Sequence, residues 1–385
     1  MADILDYLSW RGDLTLAASP FNEVDNLILA ELSFVPLAGY VPPLGAGESV
    51  PLWQAAERYF AHNPPHAIDM GILVPDRIPD LFWAMSQSVR FRDIGLSCFS
   101  EHLDLERAIQ FAALTAELSD GTLYLSFRGT DDTLAGWKED FAMSFTDTVP
   151  AQREALDYVH AVAAQYRRRR LRLGGHSKGG NLAVYGGVHC RPAVQKRIVQ
   201  IYSNDGPGFR VSLLDTPEHG RVAERIVSIV PESSVVGMLM EHEEDYFVVR
   251  SNQIGLLQHD GFSWEVLGPS FVHLPPDSPA IRRQDKAMKD LVASMNDTQR
   301  RHFTEGLFDI LSSTNASTLK ELADDGFKAA RAMLRAMADL DAETRTALGD
   351  MLKLVFQTQV RAIAEEWKES DSRKHMGKKK KKQGP

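Results

Sequence analysis

Cysteine is scarce in this sequence of 385 residues, which contains only Cys98 and Cys190. Two cysteines cannot build the disulfide framework that stabilises small secreted proteins. Neither cysteine has a neighbour at the spacing of a zinc ligand set. The sequence therefore excludes a disulfide scaffold, and it predicts neither a metal ion nor a cofactor.

Long apolar runs are also missing. No stretch of the chain approaches the roughly eighteen consecutive apolar residues that indicate a transmembrane helix. The first residues, Met1-Ala2-Asp3-Ile4, carry an acid where a signal peptide would carry basic residues. We therefore expect a cytoplasmic protein.

An excess of positive charge is absent, because the formal net charge is -9. Nucleic acids would repel such a chain, so we expect no nucleic-acid partner. The local exception is a lysine run, Lys378 to Lys382, in a segment (370–385) with the composition of a disordered tail. These lysines would attract anionic membrane lipids weakly, by on the order of 1 kcal/mol each near the surface. A solubilising tail is the simpler account.

The remaining composition, 44% apolar and 25% charged, is that of a globular protein. Residues 1–90 are predicted to be mainly helical, with a capped helix start at Asn22-Glu23-Val24-Asp25. Residues 91–275 alternate between apolar runs and helical patterns, whereas residues 276–369 show helical spacing alone. We expect a helical N-terminal part, an α/β core and a helical C-terminal region before the tail.

Short apolar runs predict the strands of that core. Residues 110–118 and 122–128 flank Ser119-Asp120-Gly121, a sequence typical of a hairpin turn. Further strands are predicted at 171–174, 197–203, 225–230 and 246–250, with a helix at 151–167. Strands that alternate with helices form parallel βαβ units. The predicted fold class is therefore α/β with a mostly parallel central sheet.

One turn carries a candidate nucleophile. Gly175-His176-Ser177-Lys178-Gly179 follows the strand at 171–174 and precedes the apolar helix that starts near Asn181. A strand, a sharp glycine-rich turn and a helix are what a nucleophile elbow requires, since they project the serine from the sheet. The backbone N–H of Lys178 would then point toward a developing oxyanion.

Three segments extend this pattern. They are Phe127-Arg128-Gly129-Thr130-Asp131 with Trp137 and Asp140, the elbow with Gly180, and Gln258-His259-Asp260-Gly261 with Trp264. Together they resemble class 3 lipases of the α/β-hydrolase superfamily. The chain is more closely similar to a lipase-like family of unknown function, through Asp6-Tyr7-Leu8, Phe21-Asn22-Glu23-Val24-Asp25 and Asn204-Asp205-Gly206-Pro207-Gly208-Phe209. The resemblance covers roughly residues 5–270. It implies an α/β-hydrolase fold and Thr130 as an oxyanion-hole residue. We expect Trp137 and Asp140 to be scaffold residues that hold the Thr130 loop through packing and hydrogen bonding.

The base and the acid follow from the chain order of this fold, which is nucleophile, acid, histidine. His259 lies in a turn after the last predicted strand and is the candidate base. Class 3 lipases carry their aspartate after the next-to-last strand, where this sequence holds a serine. Asp205, after the strand at 197–203, is the preferred acid, and Glu232 is the alternative. Either carboxylate could orient the imidazole.

The sequence thus predicts a serine hydrolase that cleaves a lipid or other carboxylic ester through an acyl-enzyme on Ser177. A thioesterase or an acyltransferase would use the same serine. A catalytically inactive binding module is a further alternative, which the missing lipase-type aspartate favours.

Overall fold

The computed structural model describes residues 1–64, 68, 70–71, 74–131, 133–143, 145–209, 214–232, 234, 236, 246–253 and 255–275. The predicted helices of 276–369 and the lysine tail lie outside these residues, as does the side chain of Trp137.

Four helices form the N-terminal part: α1 (Ile4–Arg11), α2 (Glu23–Leu32), α3 (Leu52–His62) and α4 (Ile78–Gln87). The predicted cap of α2 is confirmed, because the Asn22 side chain accepts the N–H groups of Val24 and Asp25. Asp25 in turn forms a buried ion pair with Arg90 and accepts the Tyr7 hydroxyl at 2.9 Å. These contacts fix α1 and α2 against the segment that leads into the sheet.

Nine strands of the described chain form the main sheet, in the order β1-β2-β3-β4-β5-β6-β7-β8-β11. Their bounds are β1 Val50–Pro51, β2 Gly95–Asp104, β3 Ile109–Glu117, β4 Thr122–Phe127, β5 Arg170–His176, β6 Ile198–Asn204, β7 Ile226–Pro231, β8 Tyr246–Val249 and β11 His273–Leu274. A separate hairpin pairs β9 (Val266–Leu267) with β10 (Ser270–Phe271).

The central strands β4 to β8 run parallel to one another, and the pairs at both edges are antiparallel. This arrangement confirms the predicted α/β class with a mostly parallel central sheet. The carboxyl ends of the parallel strands share one edge of the sheet, where ligand sites of such folds lie.

Helices cover both faces of the sheet. The later helices are α5 (Leu134–Ala142), α6 (Pro150–Gln165), α7 (Lys178–His189), α8 (Pro192–Gln195) and α9 (Pro217–Gly220), and short 3-10 helices span Ala223–Arg225, Gly255–His259 and Gly261–Ser263. Alternate side chains of β4 enter two different cores, because Tyr124 packs with α2 to α4 and Leu125 packs with α6 and α7. The sheet therefore lies between two helical layers. No helix in the described part of the chain is long and apolar enough to cross a membrane.

Candidate active site

Ser177 occupies a strained turn between β5 and α7. Its backbone has φ 57° and ψ -132°, a conformation that a residue with a side chain adopts at a cost. The turn is tight, since a Cβ at Gly175 would lie 2.3 Å from the carbonyl carbon of Gly179, and one at Gly179 would lie 2.1 Å from Phe127 O. The Ser177 N–H donates to Asn204 O at 2.9 Å. These contacts give the predicted elbow geometry and hold it at the carboxyl edge of the sheet.

The imidazole of His259 contacts the carboxylate of Asp205. His259 Nδ1 lies 2.6 Å from Asp205 Oδ2, and the Asp205 side chain is fully buried. Asp205 follows β6 in a left-handed conformation, with φ 48°, and its N–H donates to Ile229 O at 2.7 Å. Its other oxygen, Oδ1, accepts a hydrogen bond from the Ser234 hydroxyl. The structure thus brings two of the predicted site residues together.

Glu232, the alternative acid, lies immediately after β7. Its backbone N–H donates to Val249 O at 3.1 Å, and its side chain is half-buried. The carboxylate that contacts the His259 ring belongs to Asp205.

His176, which the sequence did not single out, contacts His259. Its Nε2 lies 2.8 Å from His259 O, and the two ring centroids are 4.6 Å apart. Burial first, and then the neighbouring His259, hold the pKa of His176 well below its ordinary value, so the ring is neutral. Because a carbonyl oxygen only accepts, the single ring proton of His176 is on Nε2.

Glu31 lies beneath this pair of histidines. Its Oε1 is 3.5 Å from His176 Nδ1, its side chain is fully buried, and neither carboxyl oxygen has a hydrogen-bond partner. Burial, followed by repulsion from Asp260, raises the pKa of Glu31 well above its ordinary value. The protonated form of the Glu31 carboxyl is therefore favoured more strongly than in an exposed glutamate.

Thr130 and Gly129 pass directly beside the elbow. A Cβ at Gly129 would lie 2.6 Å from His176 O and 3.2 Å from Ser177 Cβ. The Thr130 hydroxyl donates to Asp140 Oδ2, which fits the predicted scaffolding role of Asp140. Burial raises the pKa of Asp140 to about 6, although attraction to Lys178 and the Thr130 hydrogen bond both act to lower it.

Lys178 begins α7, so its backbone N–H has no acceptor within the helix. Its side chain turns into the protein, where it is fully buried and forms an ion pair with Glu139 at 2.6 Å. Sequence reasoning missed this pair, because a lysine between glycines gives no indication that its ammonium group is buried.

Ser177 is linked to His259 and Asp205 through its neighbours. His176, which precedes it, holds the His259 carbonyl, and Asn204, which precedes Asp205, accepts the Ser177 N–H. No cluster of three or more His, Cys, Asp or Glu side chains in the described ranges is arranged to hold a metal ion.

Two solved lipases are similar to this chain. Rhizomucor miehei lipase in its propeptide complex is 16% identical, with 57% of this chain and 67% of that chain covered and a TM-score of 0.33. Nonglycosylated Yarrowia lipolytica LIP2 lipase is 12% identical, with 64% and 95% covered and a TM-score of 0.38. A search of curated proteins finds no match. Residues 85–309, more than half of the chain, match the Mbeg1-like family model, and the chain therefore belongs to the Mbeg1-like family.

Proposed function

We propose that this chain is a serine hydrolase that cleaves carboxylic esters, lipid esters among them, through an acyl-enzyme on Ser177. The contact of 2.6 Å between His259 Nδ1 and Asp205 Oδ2 is the observation that carries the proposal, together with the contact of 2.8 Å between His259 O and His176, the residue before a serine held at φ 57°. A buried carboxylate fixed to an imidazole beside a strained serine is the arrangement that activates a hydroxyl nucleophile.

The acylation step depends on the Nδ1–H tautomer of His259. Asp205 accepts the Nδ1 proton of His259, which leaves a lone pair on Nε2 of the neutral ring. Nε2 takes the proton of the Ser177 hydroxyl as Oγ attacks the ester carbonyl carbon. The resulting imidazolium is stabilised by Asp205.

The oxyanion that forms is stabilised by the backbone N–H groups of Thr130 and Lys178. One such donor contributes roughly 3 kcal/mol when it is held in place beforehand. The tetrahedral intermediate then expels the alcohol, whose oxygen receives the proton from His259 Nε2. Water, deprotonated by His259, attacks the acyl-enzyme, and collapse of the second intermediate releases the carboxylic acid and restores Ser177.

An apolar side chain supports an apolar substrate. Leu257 lies on the same 3-10 helix as His259 and exposes 62% of its surface. An exposed leucine two residues from the base would contact an acyl chain or an apolar alcohol. This contact would stabilise the complex, because it removes apolar surface from water.

A fluorophosphonate probe and p-nitrophenyl esters of short and medium chain length test the proposal. We expect the full chain to be labelled and to turn over the esters, Ser177→Ala to lose both activities, and Ser9→Ala, an exposed serine on α1, to retain both. Undiminished labelling of Ser177→Ala would remove Ser177 from the mechanism. Labelling without turnover would point to a different acyl donor, and neither activity would favour the binding module.

A further inference from the structure

The side chain of Gln110, near the start of β3, connects the elbow to the loop after β4. Its amide oxygen Oε1 lies 3.0 Å from Lys178 Nζ, and its amide nitrogen Nε2 donates to Gly129 O at 3.2 Å and, at the longer distance of 3.5 Å, to Asp131 Oδ2. Gln110 is buried, and so is the whole side chain of Lys178. Two hydrogen bonds in series therefore link a residue of the elbow to the peptide group before Thr130.

Lys178 and the Asp131 carboxylate favour the same orientation of this amide, since the first donates to its oxygen and the second accepts from its nitrogen. The Lys178 ammonium group has three N–H donors and three hydrogen-bond acceptors, namely Gln110 O at 2.8 Å, Gln110 Oε1 at 3.0 Å and Glu139 Oε2 at 2.6 Å, whereas Asp140 Oδ1 lies 4.0 Å away. An ammonium group only donates and a carbonyl oxygen only accepts. The Gln110 amide must therefore present oxygen to Lys178 and nitrogen to Gly129, and the opposite orientation would break both contacts.

The orientation of the Gly129 carbonyl determines the direction of the Thr130 N–H. The carbonyl of Gly129 and the N–H of Thr130 belong to one planar trans peptide unit, so they point in opposite directions. A hydrogen bond that holds Gly129 O on the Gln110 side therefore directs the Thr130 N–H away from Gln110. Gly129 packs against Ser177, which brings this peptide unit beside the nucleophile.

We propose that Lys178 and Gln110 are positioning residues of the oxyanion hole, with the Lys178 side chain aiming the Thr130 N–H through the Gln110 amide. This inference rests on the proposed function. One residue then serves both donors, since Lys178 supplies one N–H from its own backbone and orients the other through its ammonium group.

The test is Gln110→Glu in the full chain. A carboxylate still accepts from Lys178, but it has no N–H for Gly129 O and instead faces that carbonyl with an acceptor. We expect kcat to fall by about tenfold to a hundredfold, a loss no larger than that caused by removing a whole oxyanion donor. KM should change by no more than about twofold. The rate of fluorophosphonate labelling should fall in parallel.

Gln195→Glu is the matched control. Gln195 is also a buried amide between a cation and a backbone carbonyl, with Oε1 2.7 Å from Arg221 Nε and Nε2 2.6 Å from Val188 O. It contacts the far end of α7, away from the elbow. We expect Gln195→Glu to lower the melting temperature to a similar extent and to leave kcat unchanged within about twofold.

Equal kcat values for Gln110→Glu and Gln195→Glu would overturn the positioning role. If Gln110→Glu fails to fold, Gln110→Met removes the same donor without adding charge, and full kcat in that variant would overturn the role as well.

If the wild-type chain neither labels nor turns over ester, the proposed function fails, and the NMR amide resonance of Thr130 carries the test. A shift of that resonance in the Gln110 variant but not in Gln195→Glu supports the inference, and its absence contradicts it.

Discussion

Ser234 donates a hydrogen bond to the Asp205 carboxylate, through the oxygen that does not face His259. Each oxygen of the carboxylate therefore has a partner of its own, and the plane of the group is fixed. Asp205 follows β6, whereas the loop after β7, where class 3 lipases place their acid, contributes a hydroxyl to the same cluster. Although no aspartate follows β7 as it does in class 3 lipases, the His259 imidazole still contacts a buried carboxylate, that of Asp205.

Asp205→Asn should lower kcat by about 10³- to 10⁴-fold, because an amide cannot select the Nδ1–H tautomer of His259 as a carboxylate does. Glu232→Gln is the matched control, since it neutralises the alternative acid one strand away. We expect it to retain ester turnover within a few fold. Steady-state kinetics on both variants decide the assignment, and the reverse pattern would transfer the role of the acid to Glu232.

Thr130→Val should lower kcat by roughly tenfold, because it removes the hydroxyl that anchors the Thr130 loop to Asp140. Thr130→Ser keeps a hydroxyl and should retain most of the activity. The same hydrogen bond lowers the pKa of Asp140, which is about 6, so Thr130→Val should raise that pKa further. A carboxyl titration followed by NMR measures the shift, and an unchanged or lower pKa would contradict the contact.

Gly129→Ala should abolish labelling and destabilise the protein. The added Cβ would lie 2.6 Å from His176 O. Because this oxygen belongs to the backbone, the clash can be relieved only by a backbone movement that destabilises the fold. Gly220→Ala, in α9, meets nothing within 4 Å and should leave labelling and the melting temperature nearly unchanged. Normal labelling of Gly129→Ala would mean that the loop after β4 does not approach the elbow.

Glu31→Gln should make stability less sensitive to pH. The pKa of Glu31 is raised in the folded state, so both states are neutral below its ordinary value of 4.5, and the variant has little effect there. As the pH rises above that value, the unfolded chain loses the proton and the folded chain keeps it. The free energy of unfolding then falls by about 1.4 kcal/mol per pH unit until the folded pKa is reached.

Thermal unfolding between pH 4 and pH 8 measures this difference. The melting temperature of Glu31→Gln should exceed that of the wild type by an amount that grows with pH. Glu57→Gln, an exposed position on α3, should follow the wild type throughout. A constant gap between wild type and Glu31→Gln would show that folding does not raise the pKa of Glu31.

Local patterns predicted the centre of the fold. The hairpin between β3 and β4 was evident from Asp120-Gly121, and Gly121 does have a positive φ of 85°. The β5–elbow–α7 unit followed from its glycines and from the apolar runs on both sides. β2 was missed because a bulge between Ser97 and Ser100, with Cys98 at φ 54°, disrupts the alternation that marks a strand. β1 and β11 have two residues each, too few to show any period.

The site was predictable where chain order or a motif constrained it. Ser177, Asp205 and His259 were candidates from sequence, and contacts between loops 54 residues apart bring the last two together. His176 and Ser234 had no local signal, because their roles depend on which oxygen of a distant residue they reach. Glu31 follows the apolar run of α2, where an acid is typical of an exposed position rather than of a buried one.

Ser177 and Asp205 both have backbone conformations that L-residues disfavour, with φ values of 57° and 48°. Each conformation costs on the order of 1–2 kcal/mol, and a glycine at either position would release most of that cost. Laboratory evolution that selected this protein for heat resistance alone would therefore favour glycine at position 177, where the proposed chemistry would be lost, whereas Asp205→Gly would also remove the buried hydrogen bonds to His259 and Ser234. Screens for more thermostable variants should therefore measure turnover at every round.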